Sequence, residues 1–233
     1  MLICILGNSH AGALKSAWDA MQSERSDVEL HFFAMRGQHM RFARVNGDRL
    51  EIPNPDDLLR TYPETVGNSV DIPRYDAFIM HGLGLHPLLP ERTEGVSRAC
   101  YDCVISDSIT NTANWSILSE LRRVTKAPVA VGTSPLTAAV EVRSRNVHPI
   151  VDQDAAVLEA RLAEMNAALV RQPNSTIVNG TKTDPIYNEG ALGIAPDATK
   201  VDFENLLSDR KHMNSKYGRV MLQLYLDRLT SLR

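Results

Sequence analysis

The stretch that decides the fold reads Leu2-Ile3-Cys4-Ile5-Leu6-Gly7-Asn8-Ser9-His10-Ala11-Gly12-Ala13-Leu14. An apolar run ends at Gly7, Ser9 follows two residues later, and a helical pattern begins after it. This is the pattern of a buried strand, a tight turn and a helix N-terminus. Such turns lie at the C-terminal edge of open α/β sheets, where ligands bind, and the helix end points N–H groups at the ligand. We therefore expect Ser9 to act as a nucleophile.

Strand-like and helix-like segments alternate along the rest of the chain. The strand-like runs are residues 2–7, 28–34, 75–80, 128–131 and 175–178. The helix-like runs are residues 10–23, 91–105, 112–125, 152–171 and 214–231, the last with Val220, Leu224 and Leu229 on its apolar side. This alternation predicts a parallel sheet with helices on both faces. We expect one α/β domain over residues 1–233.

Residues 38–74 interrupt the alternation and are interpreted as an insertion beside the sheet. Two short alternating runs, 42–45 and 49–52, flank Asn46-Gly47-Asp48. An Asn-Gly pair in such a position is a strong hairpin signal. A short helix is expected over residues 55–61.

Composition excludes several classes of function. The 233 residues carry a net charge of −3 and no basic block, which argues against nucleic-acid binding. No apolar run reaches membrane-spanning length, and the first apolar run lacks the basic flank of a signal peptide. Three cysteines, an odd number, suit a reducing compartment. We therefore expect a cytoplasmic protein.

A base for Ser9 is present near the far end of the chain. A serine hydroxyl needs an imidazole within hydrogen-bond reach and a third group that orients it. Asp209 and His212 form a D-x-x-H segment that can supply both. The Gly- and Asn-rich residues 179–208 before it are expected to form an active-site loop. Within this loop, Lys182, Tyr187 and Asn188 are expected to line the pocket.

The developing oxyanion needs hydrogen-bond donors. The Ser9 backbone N–H is one candidate. Gly37, at the end of the second strand, is another, because glycine lets the backbone approach a ligand closely. The turn from Gly82 to Gly84, after the third strand, can provide a further donor.

Gly7-Asn8-Ser9-His10 after the first strand, together with Asp209-x-x-His212 before the last helix, resembles the SGNH (GDSL-type) hydrolase family. The resemblance implies a three-layer, flavodoxin-like sandwich with a parallel sheet of about five strands. It implies that Ser9 is the nucleophile, His212 the base and Asp209 its partner. Gly37 is the best match to the glycine that binds the oxyanion.

Two positions depart from the family's pattern. Asn8 stands where the family usually has aspartate, a mainly structural residue. The third strand is followed by Gly82-Leu83-Gly84 and not by Gly-x-Asn, so one oxyanion donor is missing or replaced. A backbone N–H near Gly84 or the His86 side chain are the candidates for this replacement.

Each candidate residue also has a structural interpretation. Ser9 is a good helix N-cap, and His10 is either a substrate contact or an ordinary residue of the first helical turn. His81 and His86 can touch substrate, but no carboxylate or cysteine at ligand spacing favours a metal site beside them. Cys100 and Cys103 form a C-x-x-C without a second pair, which favours two helix residues.

These observations predict a serine esterase that acts on a small acyl ester, for example an O-acetyl group on a carbohydrate, through an acyl-enzyme. No cofactor is expected, and neither nucleic acid nor membrane is an expected partner. One alternative is an O-acyltransferase with the same three residues. Another is a non-catalytic binding or accessory protein of a glycan pathway on the same scaffold.

Overall fold

The computed structural model describes residues 1–35, 39–52, 69–90, 94–191 and 209–232. The strands are β1 Leu2–Gly7, β2 Glu29–Ala34, β3 Arg44–Asn46, β4 Arg49–Glu51, β5 Ser69–Asp71, β6 Ala77–His81, β7 Val129–Gly132, β8 Ala167–Val170, β9 Ile177–Val178 and β10 Lys182–Thr183. The α-helices are α1 Ala11–Met21, α2 Arg98–Thr110, α3 Ala113–Arg122, α4 Ile150–Glu164 and α5 Ser215–Ser231.

A five-stranded parallel sheet in the order β2-β1-β6-β7-β8 forms the centre of the molecule. Side chains of β1 alternate between its two faces. Ile3 and Ile5 pack in one core with α1 and α5, whereas Cys4 and Leu6 pack in the other core with α2, α3 and α4. This is a three-layer α/β sandwich with the strand order of flavodoxin-like folds, which confirms the predicted fold class.

Helices α1 and α5 pack closely against each other on one face of the sheet. Gly218 makes the approach possible, because a Cβ at this position would lie 1.9 Å from the backbone oxygen of Ala13. The buried face of α5 differs from the predicted one. Leu229 is fully buried as expected, but Val220 and Leu224 are only partly buried. The core positions of α5 are Tyr217, Gly218, Met221, Leu222, Tyr225, Leu226 and Leu229.

The prediction of a helix over residues 152–171 was wrong at its C-terminal end. Helix α4 ends at Glu164, Asn166 takes a left-handed conformation with φ of 49°, and the chain continues as β8. All four residues of β8 are apolar and buried, so their sequence does not separate a buried strand from a buried helix. Strand β9 pairs antiparallel with β10 outside the main sheet, so residues 175–178 do not supply the fifth strand.

The predicted helix over residues 91–105 was also misplaced. Helix α2 begins only at Arg98, where the Ser97 side chain caps it by accepting a hydrogen bond from the Cys100 N–H at 3.2 Å. Cys100 and Cys103 are exposed, free helix residues, as expected. Helix α3 lies inside the predicted range 112–125 and is capped by Thr112.

The insertion contains the predicted hairpin. Strands β3 and β4 pair antiparallel, Gly47 in their turn has φ of 58°, and β5 adds a third strand. The Glu120 carboxylate of α3 accepts a hydrogen bond from the Val45 N–H at 2.9 Å, which ties this small sheet to the main domain. The helix expected over residues 55–61 lies outside the described residues. Within the described ranges, no helix has the length and apolar character needed to cross a membrane.

Candidate active site

The turn that carries Ser9 is held by the side chain of Asn8. The Asn8 Oδ1 accepts a hydrogen bond from the His10 N–H at 3.0 Å, and its Nδ2 donates to the Gly82 carbonyl. Asn8 thus joins the ends of β1 and β6, a structural function that suits its buried position. In the described part of the chain, no side-chain hydrogen bond caps the N-terminus of α1, so the Ser9 side chain does not cap it. The capping interpretation of Ser9 was therefore wrong, and its hydroxyl is available for another partner.

The Ser9 hydroxyl hydrogen-bonds to His212, near the C-terminal end of the sequence. Its Oγ lies 2.9 Å from His212 Nε2, and the other ring nitrogen of His212 hydrogen-bonds to the Asp209 carboxylate. The second carboxylate oxygen, Oδ1 of Asp209, accepts from the backbone N–H groups of Lys211 at 2.8 Å and His212 at 3.2 Å. The three predicted residues thus form a continuous hydrogen-bonded chain from carboxylate to imidazole to hydroxyl.

Two asparagines hold the segment that carries Asp209 and His212. Asn188 Nδ2 donates to the backbone carbonyls of Asp209 at 3.0 Å and His212 at 2.6 Å. Asn214 caps α5 by accepting hydrogen bonds from the Lys216 and Tyr217 N–H groups. Sequence reasoning placed Asn188 in the pocket wall and missed its contact with the segment. No local pattern marks such a contact, because it joins residues more than 20 positions apart.

The environment of Asp209 favours its charged form. Partial burial would raise the pKa of this carboxyl, but the hydrogen bonds from the His212 ring and the Lys211 N–H outweigh it and lower the pKa. An ionised Asp209 fixes the proton of His212 on the nitrogen that faces it and leaves Nε2 as an acceptor towards Ser9.

His10 lies against the candidate base. Its ring centroid is 5.3 Å from that of His212, and its buried Nδ1 has no hydrogen-bond partner among the described residues. Burial and, to a smaller extent, the charge of His212 together lower the pKa of His10 to about 4. His10 is therefore a neutral wall of the site near pH 7. Gly82, with φ of 71°, makes room for it, since a Cβ there would lie 2.7 Å from the His10 Cβ.

The candidate oxyanion donors are placed unequally. Among the described residues, no acceptor takes a hydrogen bond from the Ser9 amide. Gly84 is exposed in the turn after β6 with φ of 88°. His86 is exposed and its Nδ1 contacts the backbone of Leu88 in its own loop, 3.2 Å from the N–H and 3.0 Å from the carbonyl oxygen. Gly37 lies outside the described residues.

His81 lies beneath the site and not at its surface. It is fully buried, and its Nδ1 is 2.8 Å from the Tyr225 hydroxyl, which rests directly above Gly132. Burial lowers the pKa of His81 to about 3. The expectation that His81 can touch substrate was therefore wrong. Across the described ranges, no group of three or more His, Cys, Asp or Glu residues is arranged to hold a metal ion.

The similarities of this chain to known proteins are distant. No protein-family model matches the chain, and no curated protein matches its sequence significantly. One similar solved structure is a gut microbial diltiazem-metabolizing enzyme, with 10% identity and a TM-score of 0.46 over 98% of this chain. Another is a carbohydrate esterase family 2 enzyme with a carbohydrate binding domain from Corynascus thermopiles (Myceliophthora fergusii), with 12% identity and a TM-score of 0.41 over 99% of this chain. This chain spans 46% and 66% of their respective lengths.

Proposed function

We propose that this protein is a serine esterase of the SGNH type that hydrolyses small acyl esters. The observation that carries the proposal is the hydrogen-bonded chain from Asp209 through His212 to Ser9. A serine within 2.9 Å of an imidazole whose other nitrogen is fixed by a carboxylate has the arrangement of an activated nucleophile.

The reaction follows from this arrangement. His212 Nε2 takes the proton from Ser9 Oγ as the oxygen attacks the ester carbonyl. The resulting oxyanion accepts a hydrogen bond from the Ser9 N–H, and Gly37 is the proposed second donor. His212 then returns the proton to the leaving alcohol, and an acyl-enzyme remains. Water, activated by the same imidazole, attacks the acyl-enzyme and releases the acid and Ser9.

Exposure of the site favours hydrolysis over acyl transfer. The side chains of Asp209 and His212 are 23% and 24% exposed, so bulk water reaches the base directly. A transferase must instead keep water from its acyl-enzyme. An acetylated carbohydrate is the substrate that we expect.

Turnover of p-nitrophenyl acetate tests the proposal. We expect the wild-type protein to release p-nitrophenolate and the Ser9→Ala variant to lose roughly 10³-fold or more of kcat. A Ser116→Ala variant, changed on the distant helix α3, serves as the control and should keep wild-type turnover. Equal turnover by wild type and Ser9→Ala would overturn the proposal. Absence of turnover across a panel of acetyl esters, with ligand binding retained, would support the accessory-protein alternative instead.

A further inference from the structure

A cleft adjoins the segment that carries the candidate base. Two neighbouring cavities of about 570 and 730 Å³ share Ala139, Val140 and Arg210 in their walls. Their other walls come from residues 137–144 and 179–189. We call this the Arg210 cleft. Each of the two cavities has a volume in the range of small-molecule sites, roughly 300–1,000 Å³.

Hydrogen bonds connect the walls of the Arg210 cleft to the segment 209–212, which carries Asp209 and His212. Arg210 stands between Asp209 and His212, and its carbonyl accepts a hydrogen bond from the Ala138 N–H at 2.8 Å. Asn188, which lines the cleft, also holds the carbonyls of Asp209 and His212. The cleft walls follow β7 and β8, so they lie at the sheet edge where Ser9 follows β1. Through Arg210, the cleft therefore adjoins the segment 209–212 that carries Asp209 and His212.

The chemistry of the proposed reaction assigns a side to the alcohol. His212 must return its proton to the leaving alcohol, so the alcohol oxygen lies on the His212 side of Ser9. The remainder of the alcohol then extends along residues 209–212 towards the Arg210 cleft. The acyl group points the other way, towards Ser9 and the turn after β6.

Among the described residues that line the cleft, positive charges outnumber negative ones. Lys182 and Arg210 are exposed, and neither forms an ion pair with another described residue. Arg143 is paired with Glu141, so these two largely cancel. Glu189 contributes the remaining negative charge, at the end of the cleft next to Asn188. Lys182 and Arg210 line the same cavity, and Glu189 does not.

The remaining surface of the cleft suits a polyol. Val140 is 77% exposed and Ile186 is 46% exposed, and each lines the cavity beside Arg210. Exposed apolar side chains next to amide groups can cover the C–H face of a sugar ring while its hydroxyl groups bond to polar groups.

From these observations we propose that the Arg210 cleft binds the alcohol portion of the substrate through a fixed negative charge, a carboxylate or a phosphate, held between Lys182 and Arg210. The substrate is then an acyl ester of an anionic alcohol such as an acidic sugar. This inference rests on the proposed esterase function for the direction in which the alcohol extends.

Binding to the Ser9→Ala protein tests the inference without turnover. Calorimetry at low ionic strength compares three O-acetylated probes: methyl glucuronoside, glucose 6-phosphate and neutral methyl glucoside. We expect one or both anionic probes to bind about five- to tenfold more tightly than the neutral one, and 0.5 M NaCl to remove most of this preference. The anion that binds more tightly identifies the charged group.

Variants that remove one positive charge show which residues cause the tighter binding of anionic probes. In the Ser9→Ala background, Lys182→Gln and Arg210→Gln should each reduce the preference about threefold. Lys126→Gln and Arg74→Gln are the matched controls, because these exposed cations precede β7 and β6 at the opposite edge of the sheet. They should leave the preference unchanged. No preference for an anionic probe, or a preference that survives Lys182→Gln and Arg210→Gln together, would overturn the inference.

These outcomes separate the inference from the proposed function. If wild type hydrolyses neutral acetyl esters but shows no anion preference, the inference fails and the esterase proposal stands. If the anionic probes bind as expected and no ester is hydrolysed, the esterase proposal fails and the Arg210 cleft remains an anion-binding site.

Discussion

Ser9 Oγ lies 2.9 Å from His212 Nε2 although 203 positions separate the two residues in the sequence. The contact follows from the packing of two helices, because Ser9 precedes α1 and His212 precedes α5. These helices lie side by side on one face of the sheet, with Gly218 of α5 against the backbone of Ala13 in α1. The helix contact therefore sets the distance between hydroxyl and imidazole.

Gly218→Ala tests this coupling. A glycine-to-alanine change in a helix usually stabilises it by up to about 1 kcal/mol, but here the new Cβ would meet Ala13 O at 1.9 Å. We expect the free energy of unfolding in urea to fall by about 2 kcal/mol and esterase activity to fall with it. Gln223→Ala, on the exposed face of α5, should change stability by less than about 0.5 kcal/mol. A stabilised Gly218→Ala protein would contradict the packing described here.

Asp209→Asn tests whether the Asp209 carboxylate orients His212, because it leaves the imidazole in place. The amide keeps the size of the side chain but removes the charge that fixes the proton position on His212. We expect kcat for p-nitrophenyl acetate to fall by about 10³- to 10⁴-fold with the fold retained. Circular dichroism checks that the fold is retained, and stopped assays at several pH values measure kcat. Activity within tenfold of wild type would show that Asp209 does not orient the base.

Asn188→Ala tests whether the Asn188 hydrogen bonds position the segment 209–212. Removing the amide leaves the carbonyls of Asp209 and His212 without this donor and lets the segment move. A displacement of about 1 Å costs roughly 10²-fold in rate, so we expect a loss of 10- to 100-fold, mainly in kcat. Asn188→Asp is the companion variant, since it keeps the volume and lacks the donor. An unchanged kcat in both variants would exclude this function for Asn188.

Acid should destabilise the protein through His81. Its pKa is about 3 in the folded state and about 6.5 when unfolded, so the unfolded chain binds the extra proton. Stability is therefore lost as pH falls below about 6.5, by on the order of 3 kcal/mol at pH 4. His81→Asn keeps a hydrogen-bonding group for Tyr225 and does not titrate. Urea unfolding at pH 7 and pH 4 should show a smaller pH-dependent loss in this variant than in wild type, and an equal loss would refute the assignment.

Sequence reasoning predicted the elements whose signals are local. The apolar run of β1 and the Asn-Gly hairpin turn each depend on neighbouring residues, and each is present. The same reasoning failed at the boundary of α4 and β8. Ala167-Ala168-Leu169-Val170 is compatible with either state, and its place at the sheet edge between α4 and α5 decides the outcome.

In the candidate site, too, the residues in local motifs could be predicted and the contacts between distant residues could not. Ser9, His10, Asp209 and His212 stand in short motifs, and the structure brings them together. Asn188 contacts residues more than 20 positions away, and Arg210 contacts Ala138 in the loop 137–144. These contacts depend on how distant loops pack together, which no local sequence pattern indicates. The hydrogen bond of His81 likewise joins it to Tyr225, 144 positions away.

Covalent labelling with a fluorophosphonate, read by intact mass and peptide mapping, tests most directly whether Ser9 is an activated nucleophile. We expect one label per chain, located on Ser9, with labelling slowed by His212→Gln and absent in Ser9→Ala. Failure of the folded wild-type protein to react, or equal labelling of Ser9→Ala, would contradict this expectation.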